Sequence, residues 1–255
     1  MENGIGLRKM TLCESESDLR IISKTPFFSK LYKSFIYDWL MDVIKPHLDP
    51  DQFGMKGSSI THCLIKFLHF IHGSLDDNTQ TAVIAAFFDM SKAYNRVDHN
   101  LLVQDLADMK CPSWLLKIVI AFLSDRFLIF SYKGNITSPR SLPGGAPQGC
   151  LLAVIFFIVK FNSALLRPPI PRPLNSSGVK AKYMDDTSAA VSLNLMVCLA
   201  NDPESRPKPL KYCERTEQIL PIHNNYLQSY INEMESFSDL NKMKINFNET
   251  KDEIY

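Results

Sequence analysis

Three aspartates stand where carboxylates can act together. Asp89 closes a short apolar run, TAVIAAFFDM, and Asp185 and Asp186 form the tip between Val179–Tyr183 and Thr187–Leu193. A strand end set beside a hairpin tip gathers carboxylates from distant parts of a chain, and their repulsion raises a pKa unless cations are present. Mg²⁺ suits such a cluster, because it takes hard oxygen ligands and is usually held by one or two carboxylates plus substrate phosphates. A pair of such ions can activate an attacking hydroxyl and stabilise the leaving oxygen of an in-line phosphoryl displacement. Taken alone, an acid at a strand end and an acidic turn are ordinary surface features.

The elements that must position these acids follow from periodicity. Thr81–Met90 reads as a strand buried on both faces, and the segments flanking Met184-Asp185-Asp186 read as a tight hairpin. Phe28, Leu31, Tyr32, Phe35, Ile36, Trp39, Leu40, Val43 and Ile44 recur at helical spacing, with Thr25 and Pro26 as N-cap and first helical residue and Pro46 near the end. A second helix starts at Ser58 or Ser59 and stops at Gly73. Helices follow over Asp98–Met109 and Ser113–Phe127, then a hairpin from Leu128–Tyr132 through Gly134-Asn135 to Ile136–Leu142. Pro143–Gly149 is irregular, Cys150–Leu166 is a buried helix, and the spacing of Leu227, Tyr230, Ile231, Met234 and Phe237 predicts one more. KMKINFNETKDEIY reads as a strand, a turn at Asn248 and the start of another strand. No internal repeat suggests a solenoid or propeller.

Composition bounds the rest. Of 255 residues, 45% are apolar and 22% charged, which excludes a wholly disordered chain. Twenty-eight Lys plus Arg against 27 Asp plus Glu leave a net charge of +1. That balance neither announces nor excludes a nucleic-acid partner, because a site rich in carboxylates cancels the basic residues that face phosphates. The six cysteines are scattered with no CxxC pair and read as reduced intracellular thiols. The longest apolar stretch, Cys150–Val159, falls short of the roughly 20 residues that cross a bilayer, so no membrane span is expected. No apolar segment follows the N-terminal basic residues, so the expectation is an intracellular protein, nuclear or cytoplasmic and not secreted. His62, His69 and His72 lie near one helical side, but Leu64, Phe67, Leu68 and Ile71 interleave with them and no H-E-x-x-H word occurs, so zinc is set aside.

The words around the acids resemble a family. FFDMSKAYNRVDH resembles motif A of non-LTR (LINE-type) retrotransposon reverse transcriptases, GGAPQGCLL their motif B and YMDD their motif C. Upstream, DLRIIS and LDPDQFGMKGSSITH resemble the fingers motifs, and downstream MKINFNETK resembles motif D. The order runs from about Asp18 to Lys251. YMDD alone is a weak signal; the ordered set is specific.

The resemblance implies an α+β right-hand polymerase fold, with fingers and palm and an antiparallel palm sheet packed on helices. It implies an RNA-directed DNA polymerase that joins deoxynucleoside triphosphates to a DNA primer 3′-hydroxyl on an RNA template, with two Mg²⁺ ions and Mn²⁺ as a substitute. By this resemblance Asp89, Asp185 and Asp186 are catalytic metal ligands, joined by the backbone carbonyl of Met90. Tyr94 is an aromatic gate excluding a 2′-hydroxyl. Gln148 and Gly149 lie along the template and incoming nucleotide, where glycine permits close backbone approach. Arg20 sits near the triphosphate, where a guanidinium binds phosphate bidentately. Lys251 stands near the departing pyrophosphate as a catalytic proton donor, and Gly57, Ser58 and Ser59 touch the template.

On the same basis the chain divides into a polar N-terminal segment 1–17, a fingers-like helical region 18–80 and a palm-like region 81–255 with a fingers insertion. Loops 167–174 and 201–215, rich in proline, belong to the last region. The sequence departs from the family at Asn95, where an acid is common, and at Ile21, where a proline is expected. The match stops after motif D, before the primer grip and thumb, which implies weak hold on primer and template and lost processivity. These departures motivate a rival expectation, a catalytically inactive, domesticated or degenerate remnant that binds RNA or protein at most. A group II intron or telomerase-like polymerase also fits the acids but fits the SKAYNRVDH and QFGMKG words less well.

Overall fold

The computed structural model describes residues 2–8, 19–55, 57–76, 82–132, 135–164, 178–184, 186–193, 228, 231–246 and 250–254. Its elements in chain order are β1 (Glu2–Arg8), β2 (Leu19–Lys24), α1 (Phe27–Ile44), α2 (Ile60–Asp76), β3 (Ala82–Phe88), α3 (His99–Asp108), α4 (Ser113–Leu123), β4 (Phe127–Tyr132), β5 (Asn135–Ile136), β6 (Arg140–Ser141), α5 (Leu151–Phe161), β7 (Gly178–Tyr183), β8 (Asp186–Leu193) and β9 (Lys251–Ile254). Residues 231–241 are also helical. The class is α+β, and two compact units interleave along the chain: Met1–Leu48 with Lys92–Phe161, and Asp49–Ser91 with Asn162–Tyr255.

In the first unit the sheet runs β2-β1-β4-β5, with β6 also on β4. β1 pairs antiparallel with β2 and parallel with β4. This strand falls in the segment read from sequence as merely polar; NGIGLR has two glycines and little alternation to announce it. α5 is buried almost all round, as an apolar helix without a polar face must be. α1 and α3 pack against it. Its one charge, Lys160, is 1% exposed and donates to Asp105 at 2.8 Å.

The boundaries of these helices show local chemistry at work. Asp98 caps α3, its carboxylate accepting from the N–H groups of Asn100 and Leu101. α1 begins one residue later than expected: Pro26 is the N-cap and Thr25 lies outside. α4 stops at Leu123 rather than Phe127, because Asp125 takes a φ of 49° and Phe127 already pairs with Ser141 in the sheet. α5 ends at Phe161, short of Leu166.

The second unit holds a sheet in the order β7-β8-β3-β9, with every pairing antiparallel. β3 lies between β8 and β9 and is buried nearly throughout, as its unbroken apolar run predicts. α2 packs on β3, β7 and β8. Phe67 and Ile71 of α2 meet Val83, Ala85, Ala181 and Ala190, with Phe53, Cys63, Phe70, Phe87 and Val179 around them. The alanines on the sheet leave room for the aromatic rings on the helix. α2 runs through Gly73 to Asp76, past the stop expected there, and Ser74 beyond the glycine is buried.

Beneath the β7–β8 hairpin lies a buried charged group. Asp49 Oδ2 accepts from Lys180 Nζ and Lys182 Nζ, both at 2.7 Å. Lys182 Nζ also donates to the carbonyl of Asn162, whose side chain accepts the Asp49 N–H at 2.7 Å. Burial works to raise the Asp49 carboxyl, but the two ammoniums hold it below the usual carboxylate range.

Candidate active site

β3 delivers Asp89 one residue past its end, and β8 starts at Asp186. Because Phe88 pairs with Thr187 in antiparallel register, the residue after the first, Asp89, and the residue before the second, Asp186, come side by side. Asp186 reaches solvent, yet its carboxyl is pushed above the usual range, first by desolvation and then by the negative charge of Asp89. Among the described residues no cation pairs with either acid. Asp185 lies outside the described residues. The turn beside it is tight: Met184 has a φ of 61°, and Tyr183 pairs with Asp186.

That turn rests on a seat that sequence reasoning did not single out. Gln52, 1% exposed, accepts from the N–H of Met184 at 3.1 Å and from that of Gly54 at 2.9 Å through one side-chain oxygen. Its amide reaches the Met184 carbonyl at a longer 3.5 Å. The backbone alongside bonds in ladder fashion, Phe53 N–H to the Lys182 carbonyl and Lys182 N–H to that of Asp51. A Cβ on Gly54 would stand 2.9 Å from the Met184 nitrogen, so this glycine lets the two segments touch.

Asp89 has a seat of its own. Asn246 donates its backbone N–H to the Asp89 carbonyl and its amide Nδ2 to the Asp89 Oδ2, both at 2.9 Å. The Asp89 N–H reaches Thr250 Oγ1 at 3.5 Å, and the Thr250 N–H donates to the Asn246 carbonyl. Met90, buried, forms an isolated bridge with Ile245. Its bonds use the carbonyls of Asp89 and Lys244, leaving the Met90 carbonyl outside the bridge. Asn246 and Thr250 belong to the same word as Lys251, but nothing local marks them as partners of a residue so far upstream.

The remaining expected residues divide between the two units. With the acids go Lys251, exposed and opposite Phe87 at the start of β9, and the turn entering α2. There Gly57 is exposed at a φ of 94°, and Ser58 donates its N–H to Met55. Ser59 caps α2, its hydroxyl accepting the His62 N–H at 3.3 Å. Cys63, on α2, is close enough to Asp186 to feel its charge: burial pushes the thiol up, Lys66 pulls it down and Asp186 pushes it up again.

In the first unit, Arg20 lies on β2 opposite Leu7. The Ser23 N–H on the same strand donates to the Gln148 carbonyl at 2.9 Å, so β2 and the Pro143–Gly149 loop meet. That loop is anchored to the segment holding Tyr94. Ala146 N–H donates to the Tyr94 carbonyl at 2.7 Å and Gly145 N–H to that of Val97 at 2.9 Å. Arg126 and His99 both bond the Gly145 carbonyl. Gly145, at a φ of 80°, passes so near Tyr94 and Asn95 that a Cβ would sit 3.1 Å from their backbone. The half-buried Tyr94 ring stacks on Phe157 at 4.8 Å, and Phe157 stacks on Phe161. Gly149 also has positive φ, 91°. No described group of three or more His, Cys, Asp or Glu side chains forms a metal cluster, the three histidines on α2 included. No described helix is long and apolar enough to cross a membrane.

The fold is that of a right-hand polymerase, its acids borne by an antiparallel sheet packed on a helix. Over 99% of this chain it matches telomerase from Candida tropicalis in complex with a telomeric RNA fragment, at 13% identity and a TM-score of 0.56, covering 41% of that chain. The apo telomerase of the same organism, truncated from its C-terminal domain, gives 12% identity and a TM-score of 0.57 over 99% of this chain and 50% of that one. Residues 8–195 match the family described as reverse transcriptase (RNA-dependent DNA polymerase), and the chain belongs to it. The chain is also similar to two Drosophila melanogaster proteins of mobile elements. The probable RNA-directed DNA polymerase from transposon BS is 28% identical over 188 residues, 71% of this chain and 20% of that protein. The RNA-directed DNA polymerase from mobile element jockey is 28% identical over 175 residues, 66% of this chain and 18% of that protein. The chain thus spans about a fifth of the curated relatives it matches.

Proposed function

We infer that the chain is the fingers and palm of an RNA-directed DNA polymerase, the unit with Asp89 and Asp186 being palm and the other chiefly fingers. The observation that supports the reading is the pairing of these two acids without a cation among the described residues, at the end of the strand and the hairpin the family motifs mark. Two adjacent carboxylates, one of them pushed toward its neutral form, are a donor set that fits a divalent ion. Asp89, Asp185, Asp186 and the Met90 carbonyl would hold Mg²⁺, or Mn²⁺ in its place. Bound there, it supplies Lewis-acid stabilisation of the charge that develops on phosphate oxygens.

In the reaction a DNA primer 3′-hydroxyl attacks the α-phosphorus of a dNTP; the new P–O bond forms as the bond to pyrophosphate breaks. Lys251, exposed beside Thr250, is placed in this reading to give a proton to the departing pyrophosphate. Arg20 binds the triphosphate. Gln148 and Gly149 run along the template and the incoming nucleotide, and Gly57, Ser58 and Ser59 touch the RNA template. Tyr94 excludes a 2′-hydroxyl, and its stacking on Phe157 gives the ring the rigid backing that steric exclusion needs.

The test is binding of dTTP to the 255-residue chain with and without Mg²⁺. Mg²⁺ should promote binding to the wild type, and Asp89→Ala and Asp185→Ala should each abolish the promotion. Equal binding with and without Mg²⁺ in the wild type would overturn the reading.

A further inference from the structure

The geometry points to Asn246 as a positioning residue for Asp89, one that orients the carboxylate for a divalent ion without neutralising it. The inference rests on Asp89 being a metal ligand, as read above. Asn246 grips that residue at two places, accepting nothing from it and donating to both its carbonyl and its Oδ2, at 2.9 Å each. An ionised carboxylate can only accept, so the amide must present its N–H side. One donor on Oδ2 fixes the plane of the carboxylate and leaves the lone pairs of Oδ1 for other ligands.

The choice of an amide matters. A lysine or arginine in this position would hold the carboxylate equally well, but its charge would cancel the one that attracts a cation. Asn246 restrains while leaving the full negative charge, and the described surroundings of Asp89 and Asp186 add no cation. Thr250, whose N–H donates to the Asn246 carbonyl, accepts from the Asp89 N–H, so the backbone is held while the amide sets the side chain. A residue that served folding alone would need only the backbone bond, which any amino acid but proline makes. The side-chain bond is the part that costs a particular residue type.

Mn²⁺ binding to the 255-residue chain, followed by the loss of the free-ion paramagnetic resonance signal, separates the alternatives without any activity measurement. Asn246→Leu, near in size and without a donor, should weaken Mn²⁺ binding about tenfold, the loss typical of an outer partner of a metal ligand. Asn246→Ser, which keeps a hydroxyl donor, should recover part of it and provides a milder variant should the leucine chain fold poorly. In an Asp89→Asn background neither substitution should weaken binding further. Wild-type affinity in Asn246→Ser and Asn246→Leu, with binding lost in Asp89→Asn, would overturn the positioning role and leave the metal site standing. If Asp89→Asn itself binds Mn²⁺ like the wild type, the reading of the site fails first.

Discussion

Asp49 holds two lysines with a single carboxylate oxygen, and the acid is 5% exposed. Removing one partner from a buried group of this kind leaves uncompensated charge, which costs about 3–5 kcal/mol. Asp49→Ala should lose that much stability in urea unfolding at neutral pH. Because the folded carboxyl sits below its ordinary value, the stabilisation is complete above about pH 4 and is lost as pH falls below that, through the lowered folded pKa. The gap between wild type and Asp49→Ala should therefore close in acid; a gap that stays constant from neutral pH to pH 2 would contradict the pairing. None of this was legible in the sequence, where Asp49, Lys180 and Lys182 are scattered charges. The places of Asp89 after one strand and Asp186 at the start of another were legible from the apolar run and the hairpin pattern, while the role proposed for them came from the resemblance alone. Asn246 was not, because its meaning is a contact made across most of the chain.

The β7–β8 hairpin illustrates how an element is aimed. Its strands follow from alternation and its turn from position, but alternation does not say what the turn leans on. Gln52 supplies that support: its one oxygen satisfies the N–H groups of both Met184 and Gly54. Gln52→Ala should strand these donors in a buried setting at a cost of about 1–3 kcal/mol. Amide exchange at Met184 should accelerate by more than the global loss of stability explains. Unchanged exchange at Met184 would show that the turn holds itself. Elsewhere, what misled the sequence reading was tertiary pairing overriding local signals. Phe127 looks like a continuation of α4 until β6 claims it, Gly73 looks like a stop until Ser74 finds a buried place, and β1 owes its existence to β2 and β4 rather than to its own residues.

Along the whole chain, the units exchange residues in a way that consecutive ranges such as 18–80 and 81–255 do not express. The backbone leaves the second unit just after Asp89 and Met90 and returns to it at Asn162, so β3 and the β8 it pairs with are separated by all of α3, α4 and α5. Motif order was legible because each word is local; the interleaving was not, because it depends on which strands find each other. The family follows from the match over residues 8–195 and the fold from the coordinates, whereas the catalysis we propose rests on the acids.

The central claim is that these acids make the chain a metal-dependent copier of RNA into DNA. Its most direct test is extension of a DNA primer on an RNA template with dNTPs and Mg²⁺. The wild-type chain should add nucleotides, while Asp89→Ala and Asp185→Ala add none. Absence of extension by the wild type with Mg²⁺ or Mn²⁺, or extension that survives either substitution, would contradict it.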